Sequence, residues 1–239
     1  MMYENLVALS SKEHGRMRLT EAETMDYAAG ETQTLIMVDE LANAAECFPI
    51  VFNSATNPVP KAVLGLEKGR SSFVDDNGSW TASFIPSSLK NYPFNLVKHQ
   101  TDKENNSSEF VITFASNSGL VQEEKGKLLY NKNGKTGLRP SPTLKAVMDN
   151  LRRYQQRLEQ TQAFFQPLIE HNLLKTQQVS VSRGEGQEPL KIAGLVGVDW
   201  DALKKLDDSI LADWVRTGLM QQLVVQRNSL RKLGQLIPR

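Results

Sequence analysis

Between Ser141 and about Asn172 a single apolar stripe constrains the fold more than any other feature of the chain. Leu144, Val147, Met148, Leu151, Tyr154, Leu158, Thr161, Phe165, Leu168 and Ile169 recur at steps of three and four. That period places side chains on one face of an α-helix. Ser141-Pro142 supplies the start, a capping hydroxyl followed by a proline whose fixed φ suits the first helical position. The spacing predicts a helix from Pro142 to about Asn172, bent in its last turns by Pro167. A helix of this length with one apolar face needs a partner surface to match it.

The residues ahead of it read as that surface. "TLIMV" (Thr34 to Val38) is a strand candidate, and "DELANAAECF" a short helix with Asp39 as its N-cap. "PIVFNS", "KAVLGLE", "SSFV", "SWTASF" and "EFVITFAS" follow as short strands between turn-rich segments. After the long helix, "QQVSVS" and "LKIAGLVGV" read as two strands around the loop "RGEGQEP". The two glycines of the second permit close packing or a bulge. "DWDALKKL" reads as a helix capped by Asp199. From Asp208 to about Lys232 the chain is again helical, with Ile210, Leu211, Trp214, Val215, Leu219, Leu223, Val224 and Leu230 facing inward and a break at Gly218.

The expected class is α+β: a mostly antiparallel sheet of short strands in the N-terminal half, packed with the long helix and the C-terminal helices. The expected organisation is a single domain over 1–239, strand-rich in 1–140 and helix-rich in 141–239.

Composition excludes more than it suggests. The formal net charge is +1, so the overall field does not call for nucleic acid. The longest apolar runs span a few residues, against the ~20 of a membrane-crossing helix. No basic-then-apolar leader opens the chain, and one cysteine cannot form an internal disulfide. The expectation is a soluble, cytoplasmic protein, with Cys47 a small buried apolar side chain.

"SSFVDDNGSWTASF" (Ser71 to Phe84) first suggests a metal loop. Counted from Asp75, however, the fifth, ninth and twelfth positions are Ser79, Ser83 and Pro86, so the acidic fifth and ninth ligands and the closing glutamate of a calcium loop are absent. Asn77-Gly78 between strand-like flanks reads instead as a type I′ hairpin turn, a device repeated at Asn133-Gly134. His14, His99 and His171 are not spaced as metal ligands and sit in polar sequence, which places them on the solvated surface. No nucleophile elbow, phosphate loop or dinucleotide fingerprint is present. The sequence therefore gives no catalytic residue, metal or cofactor.

One segment remains. Trp80, Phe84, Tyr92 and Phe94 come close together, interleaved with Pro86 and Pro93. Rings and prolines outside regular structure suit a rigid recognition groove. The same rings would also serve to close the base of a small sheet.

In order and spacing, "FPIVF", "AVLGL", "FVDDNGSW", "FIP" and "YPF", followed by "LLYNKNGK" and "SPTLKAV", resemble the SapC-like family of bacterial proteins, named for an association with a surface layer. The name is shared with a membrane permease of peptide uptake, which this chain does not resemble. The resemblance covers nearly the whole chain. It implies a soluble accessory or binding protein of a surface-layer or envelope nutrient-uptake system, acting through protein contacts. Its members are often encoded near outer-membrane receptors and near flavin-dependent halogenase-like or cupin-like proteins. It designates no catalytic residue. The alternative is an enzyme, or an enzyme's partner subunit, with a small-molecule site near the Trp80–Phe94 segment.

Overall fold

Ser141 starts the long helix as its sequence position requires. Its Oγ accepts from the Leu144 N–H at 3.1 Å and donates to the Leu128 carbonyl at 2.6 Å, so one hydroxyl caps the helix and ties it to a strand. The computed structural model describes residues 2–102, 107–134, 137–181 and 188–237. The loop "RGEGQEP" lies largely outside them, and so does the side chain of His99.

In chain order the first elements are β1 (Leu6–Ala8), α1 (Ser11–His14), β2 (Arg18–Leu19), β3 (Gln33–Leu35), α2 (Leu41–Cys47), β4 (Ile50–Phe52), β5 (Pro60–Val63) and α3 (Ser87–Lys90). Then come β6 (Phe94–Asp102), β7 (Ser107–Ala115), β8 (Val121–Gln122), β9 (Lys127–Leu128), β10 (Tyr130–Asn133), β11 (Gly137–Pro140) and α4 (Pro142–Glu170). The chain closes with β12 (Leu174–Val181), β13 (Leu190–Val198), α5 (Trp200–Leu203), α6 (Asp208–Thr217), α7 (Leu219–Ser229) and a 3-10 segment, Leu230–Leu236. The class is α+β, and all described strand pairs are antiparallel. Among the described residues no helix is long and apolar enough to cross a membrane.

The largest sheet has the order β12-β13-β4-β5-β3, so two strands from beyond the long helix join three from before it. A second sheet, β1-β7-β6, packs its Phe94–Phe114 end against α4. Both glycine roles read from "IAGLVGV" are used. Gly194 takes φ +80 at the bulge where Gln177 and Val179 oppose Leu195 and Ile192. A Cβ on Gly197 would meet the Gln177 side chain at 2.3 Å.

α4 is 29 residues long, about 44 Å at 1.5 Å per residue. Its stripe serves two hydrophobic clusters. Leu144 and Leu151 pack with Phe94, Phe114, Val121 and Leu129. Phe165 and Leu168 pack with Phe48, Ile50, Phe52 and Trp214. Between the two the contacts turn polar. Thr161 Oγ1 accepts from the Val38 N–H at 3.0 Å and donates to the Arg157 carbonyl at 2.7 Å. Arg157 forks onto Asp39, at 2.7 and 3.0 Å, and lies 3.5 Å from Glu40.

β4 is paired to β13 by the single register pair Val196↔Phe52, which leaves Ile50 without a strand on that side. α7 supplies the missing partners. Gln226 Nε2 donates to the Ile50 carbonyl at 2.7 Å, and Ser229 Oγ accepts from its N–H at 2.9 Å. Both side chains are buried. A buried backbone group left unpaired costs about 1–3 kcal/mol, which accounts for two polar residues inside the core.

Several details differ from the sequence expectation. The strand at "TLIMV" ends at Leu35, and Val38–Glu40 wind into a 3-10 turn. The Glu40 carboxylate reaches back to the Met37 N–H, and Asp39 is held by Arg157 instead of capping a helix. Val215 and Val224 do not face inward. They are 65% and 43% exposed: α6 turns Trp214 fully inward with Ile210 and Leu211 half-buried and leaves Val215 outside that face, and past the break at Gly218, φ +82, the inward face of α7 is Leu219, Leu223 and Gln226. His14 is not solvated; it is buried to 9% exposure, with Nδ1 accepting from the Ser10 N–H and its ring edge-on to Phe114. Cys47 is half-buried, not fully buried, with Sγ 3.2 Å from Ser83 Oγ.

Two substitutions test this packing. Leu151→Ala should cost about 2–5 kcal/mol in denaturant unfolding, while Gln160→Ala on the exposed face of α4 should stay within about 0.5 kcal/mol of wild type. Gln226→Leu should cost about 1–3 kcal/mol despite being an apolar substitution in a core, because it strands the Ile50 carbonyl.

Candidate functional site

The "DDNG" segment is a hairpin loop, with Val74 and Trp80 bridged across it. The Asp75 N–H donates to the Ser79 carbonyl and the Gly78 N–H to the Asp75 carbonyl. Gly78 has φ +75, and Asn77 is not among the residues of positive φ. That is the pattern of a turn followed by a left-handed glycine, not the type I′ turn the dipeptide suggested. Asp75 Oδ1 accepts from the Asn77 and Ser79 N–H groups at 2.9 and 2.8 Å, so the carboxylate is part of the loop itself. Among the described residues no three His, Cys, Asp or Glu side chains converge as metal ligands.

The hairpin has a further structural role. The Met25 N–H donates to the Gly78 carbonyl at 2.7 Å. A Cβ on Gly78 would sit 3.1–3.2 Å from the Thr24 and Asp26 side chains. The glycine therefore lets residues 24–26 lie directly on the turn, and this segment forms one wall of a cleft of about 390 Å³. Leu19, Met25, Ile85, Phe94, Val147 and Leu151 contribute the cleft's apolar surface. Its polar groups come from Glu21, Lys90, Asn91, Asn150 and the hydroxyls of Tyr27 and Tyr92. The volume falls within the range of small-ligand and side-chain pockets, about 300–1,000 Å³.

The four rings singled out in the sequence divide between two places. Tyr92 and Phe94 both line the cleft. Phe94 is 2% exposed and packs against Phe114, so it belongs to the core as well. Trp80 and Phe84 lie away from the cleft lining. The Trp80 ring packs on Phe48 and Phe73, and its Nε1–H donates to the Phe84 carbonyl at 2.9 Å. The Tyr92–Pro93 bond is cis.

Sequence spacing gave no hint of the companions of Tyr92. Tyr27 stacks on it at 4.4 Å and 12°, and Tyr3 packs at 5.9 Å on it. A second cleft, of about 330 Å³, is lined by Tyr3, Glu31 and Tyr154, and Asn91 borders both clefts. Four of the chain's five tyrosines thus surround one wall. Burial pushes the Tyr3 hydroxyl well above its ordinary range, and Tyr154, Tyr27, Tyr92 and Glu31 push it further. Burial also raises Tyr154, with the Glu40 charge adding and Arg157 opposing. Tyr27 and Tyr92 are raised by burial and then by the Asp26 carboxylate. All four stay neutral at physiological pH, each able to donate and accept a hydrogen bond. The one carboxylate of the cleft lining, Glu21, is exposed and pairs with Lys127 at 3.5 Å. The arrangement is suited to holding a ligand with an apolar body and polar edges.

A family model described as SapC matches residues 9–236. No curated protein and no solved structure matches the chain.

The raised tyrosines make stability depend on alkaline pH. In the unfolded chain they ionise near pH ~10, whereas folded Tyr3 and Tyr154 remain neutral. The unfolded state therefore loses protons first. Stability is complete below about pH 10 and declines above it, by up to ~1.4 kcal/mol per pH unit for each such tyrosine. Denaturant midpoints measured from neutral to strongly alkaline pH should show this fall, and Tyr3→Phe with Tyr154→Phe should flatten it.

Proposed function

We propose that this chain, which belongs to the SapC family, is a non-enzymatic binding protein that recognises a protein partner at the tyrosine-walled cleft. On this reading it is an accessory component of a bacterial surface-layer or envelope nutrient-uptake system and works in the cytoplasm. The observation that carries the reading is the cleft itself: apolar side chains, stacked Tyr27 and Tyr92, and neutral hydrogen-bonding groups beside them. Rings of this kind bury a large area with little loss of rotamer freedom, which is why they dominate binding energies at protein interfaces. Tyr92 is held by its stack on Tyr27 and by the ring of Tyr3, so little ordering is left for the moment of binding.

The experiment is a tagged pull-down from the native host with quantitative mass spectrometry, comparing wild type with Asn150→Trp. Asn150 is exposed on α4 and borders the cleft, so the indole should fill the space without touching the core. The expected result is a melting temperature close to wild type and at least about a tenfold drop in the co-purifying partner, equivalent to ~1.4 kcal/mol. Partners retained in full by the filled variant would remove the cleft from the recognition surface.

A further inference from the structure

A second concave surface lies apart from the tyrosine cleft. The turn through α1 to β2 faces β9, β10 and β11 across a groove of about 920 Å³. Gly15 brings the two sides together: a Cβ there would stand 2.4 Å from Leu138 Cδ1. Lys12, Arg16, Arg18 and Lys132 line the groove, and its two carboxylates are Glu13 and Glu123. Four cations against two anions give +2, on a chain whose formal charge is +1, so the remainder of the molecule carries −1. Lys12, Arg16 and Lys132 have no ion-pair partner among the described residues. Arg18 spends one N–H on the Gly126 carbonyl. In the same groove Leu128 and Leu138 remain 36% and 40% exposed, beside the buried ring of Tyr130.

We propose that this groove docks an extended acidic peptide segment of a partner protein, its carboxylates on the unpaired cations and its apolar side chains on Leu128 and Leu138. Charge complementarity selects the sign of the partner, and the two leucines require that it carry apolar groups between its charges. The concavity selects its shape. A bilayer surface would meet the rim and leave the floor uncovered. A nucleic acid would bring a phosphate row against Glu13 and Glu123 and leave both leucines unused. Alternating acidic and apolar side chains on an extended backbone satisfy both parts of the lining.

The test is fluorescence anisotropy with a short labelled peptide of alternating glutamate and leucine, and with a lysine–leucine counterpart. The acidic peptide should bind saturably, with affinity falling as salt is raised. The lysine peptide should not bind. Arg16→Glu combined with Lys132→Glu, both at exposed positions, should weaken binding about tenfold or more, and Leu138→Ser should weaken it at constant charge. The cleft-filled Asn150→Trp protein should bind like wild type, which separates this groove from the function proposed above. Absence of saturable binding, or equal binding by the charge-reversed protein, overturns the proposal. So does sedimentation with phosphatidylglycerol vesicles that is lost on charge reversal while the peptide stays unbound, which would make the surface a membrane face.

Discussion

α4 passes from one hydrophobic cluster to another, and the positions of the sheets follow from that passage. Its first half closes the β6–β7 end through Leu144 and Leu151; its second half closes the five-stranded sheet through Phe165 and Leu168. Where the helix leaves one cluster for the other, its facing residues become Tyr154, Arg157 and Thr161. The polar stretch fixes the helix lengthwise as well as in rotation. Apolar contacts tolerate sliding, whereas the fork of Arg157 on Asp39 and the Thr161–Val38 hydrogen bond each have one geometry. Glu40 extends the junction to α3 by accepting from the Ser87 N–H and Oγ. α3 and the residues that follow it carry Lys90, Asn91 and Tyr92 to the cleft.

The cleft is therefore a by-product of supports chosen for other reasons. One wall hangs from the α4 junction through Glu40 and Ser87. The other rests on the Asp75–Ser79 hairpin through Gly78. Its tyrosine rings are fixed by each other, Tyr27 on Tyr92 and Tyr3 on Tyr92, with Tyr27 itself carried by a 3-10 turn over Asp26–Ala28. The wall opposite the rings stands on regular elements, with Val147, Asn150 and Leu151 on α4 and Leu19 on β2, so the cleft is preorganised on both sides.

The sequence stripe predicted α4 almost to the residue, because helical periodicity is a local property and all its members share one chain segment. Strands β3, β4, β5, β7, β12 and β13, the hairpin at Asn77-Gly78 and the bulge at Gly194 were also legible, each from a local preference of backbone, whereas β1, β2, β6, β8 and β9 were not read as strands and the expected strands "SSFV" and "SWTASF" are joined only by the bridge Val74↔Trp80. Three kinds of feature were not. Facing direction failed at Val215, which lies off the Trp214 face of α6, and at Val224, where Gly218 resets the phase of the following helix. Burial failed at His14, whose polar neighbours in sequence are not its neighbours in space. The cleft was half-legible: Tyr92 stood out in a cluster of rings, but Tyr27, Tyr3 and Tyr154 come from remote segments and no spacing rule joins them. Tyr154 was read as one more member of an apolar stripe, although it borders the second cleft.

The pairing of β4 carries a consequence for how the chain is made. The partners of Ile50 are Gln226 and Ser229, separated from it by 176 and 179 residues. A ribosome adding about 5–20 residues per second needs roughly 10–35 s to cover that distance. Throughout that interval the apolar strands β4 and β5 exist with one edge open, an arrangement that invites pairing with another nascent chain. The molecule thus depends on its last helix to seal one of its first strands. Its yield on synthesis should be governed by how well that waiting edge is shielded, by a holding chaperone or by slow initiation, more than by the stability of the finished fold.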